Sequence, residues 1–244
     1  DIDLQALGER LLEGKIGAIV AIDPQTGEVL SLVSSPTFDP RNLEGKKRGP
    51  YHRMLTRDVW KPMLNRAIMG QYPPGSTFKT SQGLMFLTEG IINSHTQYPC
   101  HHGFYYRGLH VGCHGHASPL SIVPAISTSC NSFFGEKRGL IPNADYYDKA
   151  YHGSWNGLTV ISISIGQGEV NLTPLQIANL GATIANRGYY YVPHVVQKVQ
   201  GEPLDTTFTR RHYTRASRRA YDLTVAGMRA SVLGGTCKHL GGYS

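Results

Sequence analysis

The spacing of apolar positions changes along the chain, and each change marks an element. Leu4–Leu12 carries apolar residues at helical spacing and predicts a short helix. Ile16–Ile22 is a β-rich apolar run. The turn Asp23-Pro24-Gln25-Thr26-Gly27 and a second run, Glu28–Val33, follow it, and together they predict a β-hairpin. Residues 36–62 mix Pro, Arg, Lys and Tyr without a period and read as a long surface loop or a subdomain excursion. Pro73-Pro74-Gly75 then breaks the chain. Leu84, Met85 and Leu87 continue a helical face beyond it, so a rigid turn delivers a helix with Ser76 in its first turn. Residues 95–116 are rich in His and Cys, poor in apolar side chains, and read as an excursion from the core. A helix is expected over Leu120–Phe134. Another runs from Thr173-Pro174 to Asn186, with Thr173 as N-cap, Pro174 at the first helical position and Gly188 just past the end. Thr159–Ile165 and Tyr190–Lys198 read as strands, and Ala220–Val232 as a last helix. This order predicts an α/β domain with a largely antiparallel sheet flanked by helices.

Composition narrows the class. At 40% apolar and 17% charged residues, the 244-residue chain is neither disordered nor a coiled coil nor collagen-like. Its longest apolar runs are about seven residues, where a membrane span needs roughly 20. The net charge of +7 suits any anionic partner. Arg210-Arg211 and Arg215–Arg219 form a basic run, but no aromatic platform or groove-reading helix accompanies it. The run reads as a solvated helix end, and no nucleic acid is expected.

Ser76 and Lys79 make an S-x-x-K pair, i and i+3 on one helix. A serine hydroxyl needs a base to become a nucleophile, and a lysine can be that base when burial lowers its pKa. The helix N-terminus adds backbone N–H groups that stabilise an oxyanion. Alone the pair is common, and an N-cap serine beside a solvated lysine is the plainer explanation of it. Ser129-Cys130-Asn131, 53 residues downstream, supplies the S-x-N triplet that accompanies S-x-x-K in serine acyl-enzymes. Ser129 would relay protons between Lys79 and the leaving group, and Asn131 would hold the substrate amide.

With these motifs the chain resembles the transpeptidase domain of class B penicillin-binding proteins, the elongation type above all. The resemblance rests on IGAIVAIDPQTGEVLSLVSSP (Ile16–Pro36), YPPGSTFK (Tyr72–Lys79), STSCNSF (Ser127–Phe133) and SIGQGEVNLTPLQIANLGATIANRG (Ser164–Gly188). It implies a β-lactamase/transpeptidase-like fold and a serine D,D-transpeptidase acting on the D-Ala-D-Ala ends of peptidoglycan stem peptides, inhibited by β-lactams. Ser76, Lys79, Ser129 and Asn131 would be catalytic, with Asn131 and Thr77 binding substrate. A membrane glycosyltransferase is the implied partner, and the implied location is the bacterial inner membrane, with the domain facing the periplasm. The family's Lys-Thr-Gly motif is absent; the text ends Gly234-Gly235-Thr236-Cys237-Lys238 and six further residues. We therefore expect residues 1–244 to be an incomplete record of one transpeptidase domain. An anchor would precede Asp1, a segment would be missing near 134–135, and the third-motif edge strand would be missing after 240. A catalytically incomplete β-lactam-binding scaffold is the alternative; a hydrolase would need a carboxylate base that the text does not offer.

The segment from His95 to His116 holds six histidines and two cysteines. Cys100, Cys113, His116 and Cys130 offer three thiolates and an imidazole, the donor set of a structural zinc site. Elongation-type relatives resemble this in carrying a metal beside the second motif. His114 competes with His116 for the fourth place, a Cys100–Cys113 disulfide is the other use of these thiols, and a polar solvated loop is the plainest.

Overall fold

A computed structural model describes residues 1–106, 109–136, 162–163, 165–168 and 170–243. The chain divides into two compact units, one built from residues 1–72 and 172–213, the other from 73–171 and 214–244.

In the first unit the predicted hairpin is present as Gly17–Ile22 and Val29–Ser35, antiparallel, with a register shift at Ala21/Ile22. Helix Ile2–Leu11, capped by Asp1, lies on the second strand. Gly8 permits that approach, since a Cβ there would meet Val33 Cγ2 at 2.8 Å. Gln5 Oε1 accepts the Leu32 N–H at 2.8 Å and ties the helix to the strand. The helix Pro174–Ala185 has the expected Thr173 N-cap, completed into a capping box by Gln176. Two expectations need correction here. The stretch read as loop over 36–62 holds 3₁₀ turns at Pro40–Leu43 and Gly45–Lys47 and a helix at Arg48–Arg57. That helix buries only Leu55, so it has no apolar period to read. The strand expected over Tyr190–Lys198 shrinks to Tyr189–Tyr190, paired with His212–Tyr213, plus a single bridge from His194 to Glu28. Pro193 has no N–H to donate to a ladder.

The second unit carries the chemistry-bearing motifs. Gly75–Thr77 is a 3₁₀ turn, and the helix proper is Phe78–Thr88, so Ser76 sits on the lead-in rather than in the first α-helical turn. Gly75 has φ of +59° and donates its N–H to Gly166 O at 2.8 Å. Gly166 is equally constrained, for a Cβ on it would fall 2.0 Å from Gly75 O. The single helix expected over Leu120–Phe134 is two, Ile122–Ser127 and Asn131–Glu136. Ser129 in the left-handed region, at φ +54°, separates them. The second helix runs through Phe134 and Gly135. Of the strand expected over 159–165, Thr159, Val160, Ile161 and Ser164 lie outside the described residues. Ser162 and Ile163 are helical, and Ile165 begins a turn closed by Gly166 and Gly168 at positive φ. The His/Cys excursion forms a hairpin, Gly103–Tyr106 with Leu109–Gly112. Thus the described ladders of both units are antiparallel and lie among helices. The last helix, Arg218–Leu233, packs on Ile122–Ser127. Phe86, Ile92, Leu120, Ile122, Phe133 and Phe134 form the core between these elements. Among the described residues no helix is long and apolar enough to cross a membrane.

Gly227 marks a close helix contact: a Cβ there would lie 2.7 Å from Ile126 Cβ. Gly227→Ala should therefore destabilise by about 1–3 kcal/mol through overpacking. Gly181→Ala, in a helix position with nothing within 4 Å, should stabilise by about 0.4–1 kcal/mol. Urea unfolding of both variants checks this; equal effects of one sign would contradict the packing described.

Candidate active site

The serine turn, its helix and the break between the next two helices converge. Lys79 is 1% exposed. Its Nζ donates to Ser129 O at 2.8 Å, Ser129 Oγ at 3.0 Å and Asn131 Oδ1 at 2.5 Å. The left-handed Ser129 lets one residue present both its carbonyl and its hydroxyl to the ammonium. Asn131 is held from its other end as well, Nδ2 donating to Gly112 O at 2.7 Å. Burial lowers the Lys79 pKa from 10.5 to about 8, against an opposing pull from the Cys113 and Cys130 thiols. Three acceptors stabilise the ammonium, and burial destabilises it. On losing a proton, the amine gains a lone pair within a cavity that Ser76 also lines.

That cavity, about 300 Å³, is bounded by Ser76, Thr77, Lys79 and Ser129 on one side and by Met228, Ser231, Val232, Thr236, Cys237 and Leu240 on the other. Ser76 and Thr77 are exposed. Thr77 Oγ1 donates to Pro74 O at 2.6 Å, bracing the turn. Sequence reasoning missed the second wall. Its only signal is Gly234-Gly235 at the end of the last helix. Gly235 is required there, as a Cβ would fall 2.2 Å from Ser127 O, and Thr236 N donates to that same oxygen at 3.1 Å.

The ligand atoms of Cys100, Cys113, His116 and Cys130 lie within 4.8 Å of one another. All four cysteines of the chain are free, so no Cys100–Cys113 disulfide forms, and His114 is exposed and outside the cluster. Each sulfur of the cluster accepts a hydrogen bond: Cys113 from Asn131 N at 3.1 Å, Cys100 from Ser132 Oγ at 3.2 Å, Cys130 from Phe133 N at 3.4 Å. Burial pushes the Cys130 thiol up to about 12. His116 Nδ1 lies 2.8 Å from Ala117 O, which places the ring proton there, while Nε2 is buried without a hydrogen-bond partner. An unprotonated, unsatisfied nitrogen among three accepting sulfurs fits a metal ion.

Residues 17–243 match the family described as the penicillin binding protein transpeptidase domain. The chain is 33% identical over 238 residues to the peptidoglycan D,D-transpeptidase MrdA of Acinetobacter baumannii, matching 82% of this chain and 35% of that protein. It thus spans well under half the length of that relative. The crystal structure of Pseudomonas aeruginosa PBP2 in complex with WCK 5153 superimposes with a TM-score of 0.86 at 27% identity, covering all of this chain and 61% of the other. A structure described as the structural coordination of polymerization and crosslinking by a peptidoglycan synthase complex gives a TM-score of 0.79 at 30% identity, covering all of this chain and 47% of the other. The chain belongs to the penicillin-binding protein transpeptidase family.

Proposed function

We propose that the chain is the acyl-transferring part of a peptidoglycan D,D-transpeptidase, crosslinking stem peptides and acylated by β-lactams. The observation that carries this reading is the buried Lys79, clasped by Ser129 and Asn131 and sharing a cavity with Ser76. Neutral Lys79 takes the proton of Ser76 Oγ as that oxygen attacks the penultimate D-Ala carbonyl. Ser129, bonded to Lys79, passes the proton to the departing D-alanine amine. Asn131 and Thr77 hold the peptide, and a stem-peptide amine then attacks the ester, freeing Ser76 and forming the crosslink.

The thiol cluster is read as a structural zinc site formed by Cys100, Cys113, His116 and Cys130. The ion would supply no step of the reaction; its role is to hold Cys130, and with it the residues on either side that meet Lys79. The whole protein is read as anchored in the inner membrane with this domain in the periplasm, working beside a membrane glycosyltransferase. The relative solved as part of a peptidoglycan synthase complex supports that partner class. The alternative reading is a β-lactam-binding scaffold that does not turn over.

Fluorescent penicillin should label Ser76 and no other residue, and Ser76→Ala should abolish labelling at an unchanged melting temperature; a label mapped to another serine contradicts the assignment. Turnover of a D-Ala-D-Ala peptide separates an enzyme from the scaffold. The acylation rate should rise with pH and level off above about 8, because only the deprotonated lysine can accept the serine proton. At pH 7 roughly a tenth of Lys79 is neutral. A rate independent of pH from 6 to 9 would remove Lys79 as the base. Metal analysis should find one zinc per chain, and chelation should lower both melting temperature and labelling. Protein that is metal-free yet equally stable would refute the zinc reading.

A further inference from the structure

A second cavity, about 410 Å³, is lined by His114, Thr128, Gly235, Thr236 and Lys238 among others. Thr236 also lines the cavity of Ser76, and Thr128 directly precedes Ser129, so the two cavities are neighbours. Its volume is in the range that holds small ligands.

The walls are one-sided in charge. Lys238 and His114 are exposed, Lys238 at the start of the 3₁₀ turn Lys238–Tyr243 and His114 on the loop after strand Leu109–Gly112. The chain has no aspartate or glutamate between Glu89 and Glu136, and none after Asp222. Both stretches that build the cavity therefore lack any carboxylate of their own to neutralise Lys238. The hydroxyls present are also placed. Thr128 Oγ1 donates to Pro124 O at 2.8 Å, and Thr236 Oγ1 pairs with Ser231 Oγ at 3.0 Å.

The cavity is fixed relative to the reacting serine. Gly235 fits against Ser127 only for want of a side chain, and Thr236 N bonds to Ser127 O, which locks the chain leading into Lys238 to the segment carrying Ser129. On the other side His114 sits between Cys113 and His116, two members of the thiol cluster. A peptide with its scissile carbonyl at Ser76 would extend past Thr236 towards the Lys238 ammonium, which makes no ion pair among the described residues.

We propose that this cavity is a subsite for a carboxylate of the peptide substrate remote from the bond attacked by Ser76. Lys238 supplies the positive charge and His114 an N–H. The inference rests on the transpeptidase reading and adds to it a preference for anionic peptides. A single exposed ammonium acts as a point charge, so the discrimination is modest and sensitive to salt.

The test uses two penicillins identical except that one side chain ends in a carboxylate and the other in its carboxamide. Second-order rates of Ser76 acylation are measured for both by intact mass. The acid should react about 1.5-fold to fivefold faster at low salt, the range of an exposed charge pair. The ratio should fall to one in Lys238→Met, invert in Lys238→Glu, and shrink in 1 M salt. Equal rates in the unaltered protein, or a preference that survives Lys238→Glu, would overturn the subsite while leaving Ser76 acylation standing. If neither compound acylates Ser76, the transpeptidase reading fails and the subsite falls with it.

Discussion

One buried ammonium organises the second unit. Placing a lysine where 1% of it meets solvent is unfavourable unless its donors are all satisfied. Here the backbone and side chain of Ser129 and the side-chain oxygen of Asn131 satisfy them. That demand accounts for the local fold. A continuous helix over 120–134 would point the Ser129 carbonyl along its own axis. Turning Ser129 to a positive φ breaks the helix and aims the carbonyl and hydroxyl at one point.

The same break couples the lysine to the thiols. Cys130, between the two residues that meet Lys79, is 1% exposed, and its sulfur lies 4.0 Å from that of Cys113. Asn131 gives its backbone N–H to Cys113 and its side-chain oxygen to Lys79. Any ion gathering these sulfurs would act on the lysine's partners through one or two bonds, so stability and reactivity should respond together. Close backbone contacts complete the frame. Gly75 against Gly166 sets the serine turn, and Gly235 against Ser127 sets the facing wall.

What the sequence made legible follows from how local each signal is. The hairpin over 17–35 and the Pro174–Ala185 helix were readable because alternation, turn residues and capping residues sit within a few positions of one another. Ser76, Lys79, Ser129, Asn131 and the four metal-ligand candidates could be nominated because their residue types are chemically distinctive, and the fold places Lys79 against Ser129 and Asn131 and gathers the cysteines with His116. The helix Arg48–Arg57 was illegible because it buries a single residue, Leu55, too little to make an apolar period. The helix break at Ser129 was hidden because a positive φ at a non-glycine residue is imposed by distant partners. Met228, Ser231 and Thr236 gave no signal, since they join the site through packing across more than 150 positions of sequence.

The account stands on the lysine being clasped yet easily deprotonated. The most direct test is to follow the Lys79 side chain itself by NMR across a pH titration, with lysine labelled at Nζ and Lys79→Arg identifying the signal. The account predicts that this lysine titrates near 8, well below the ordinary lysine value of 10.5. A Lys79 signal that stays protonated beyond pH 10 would contradict it.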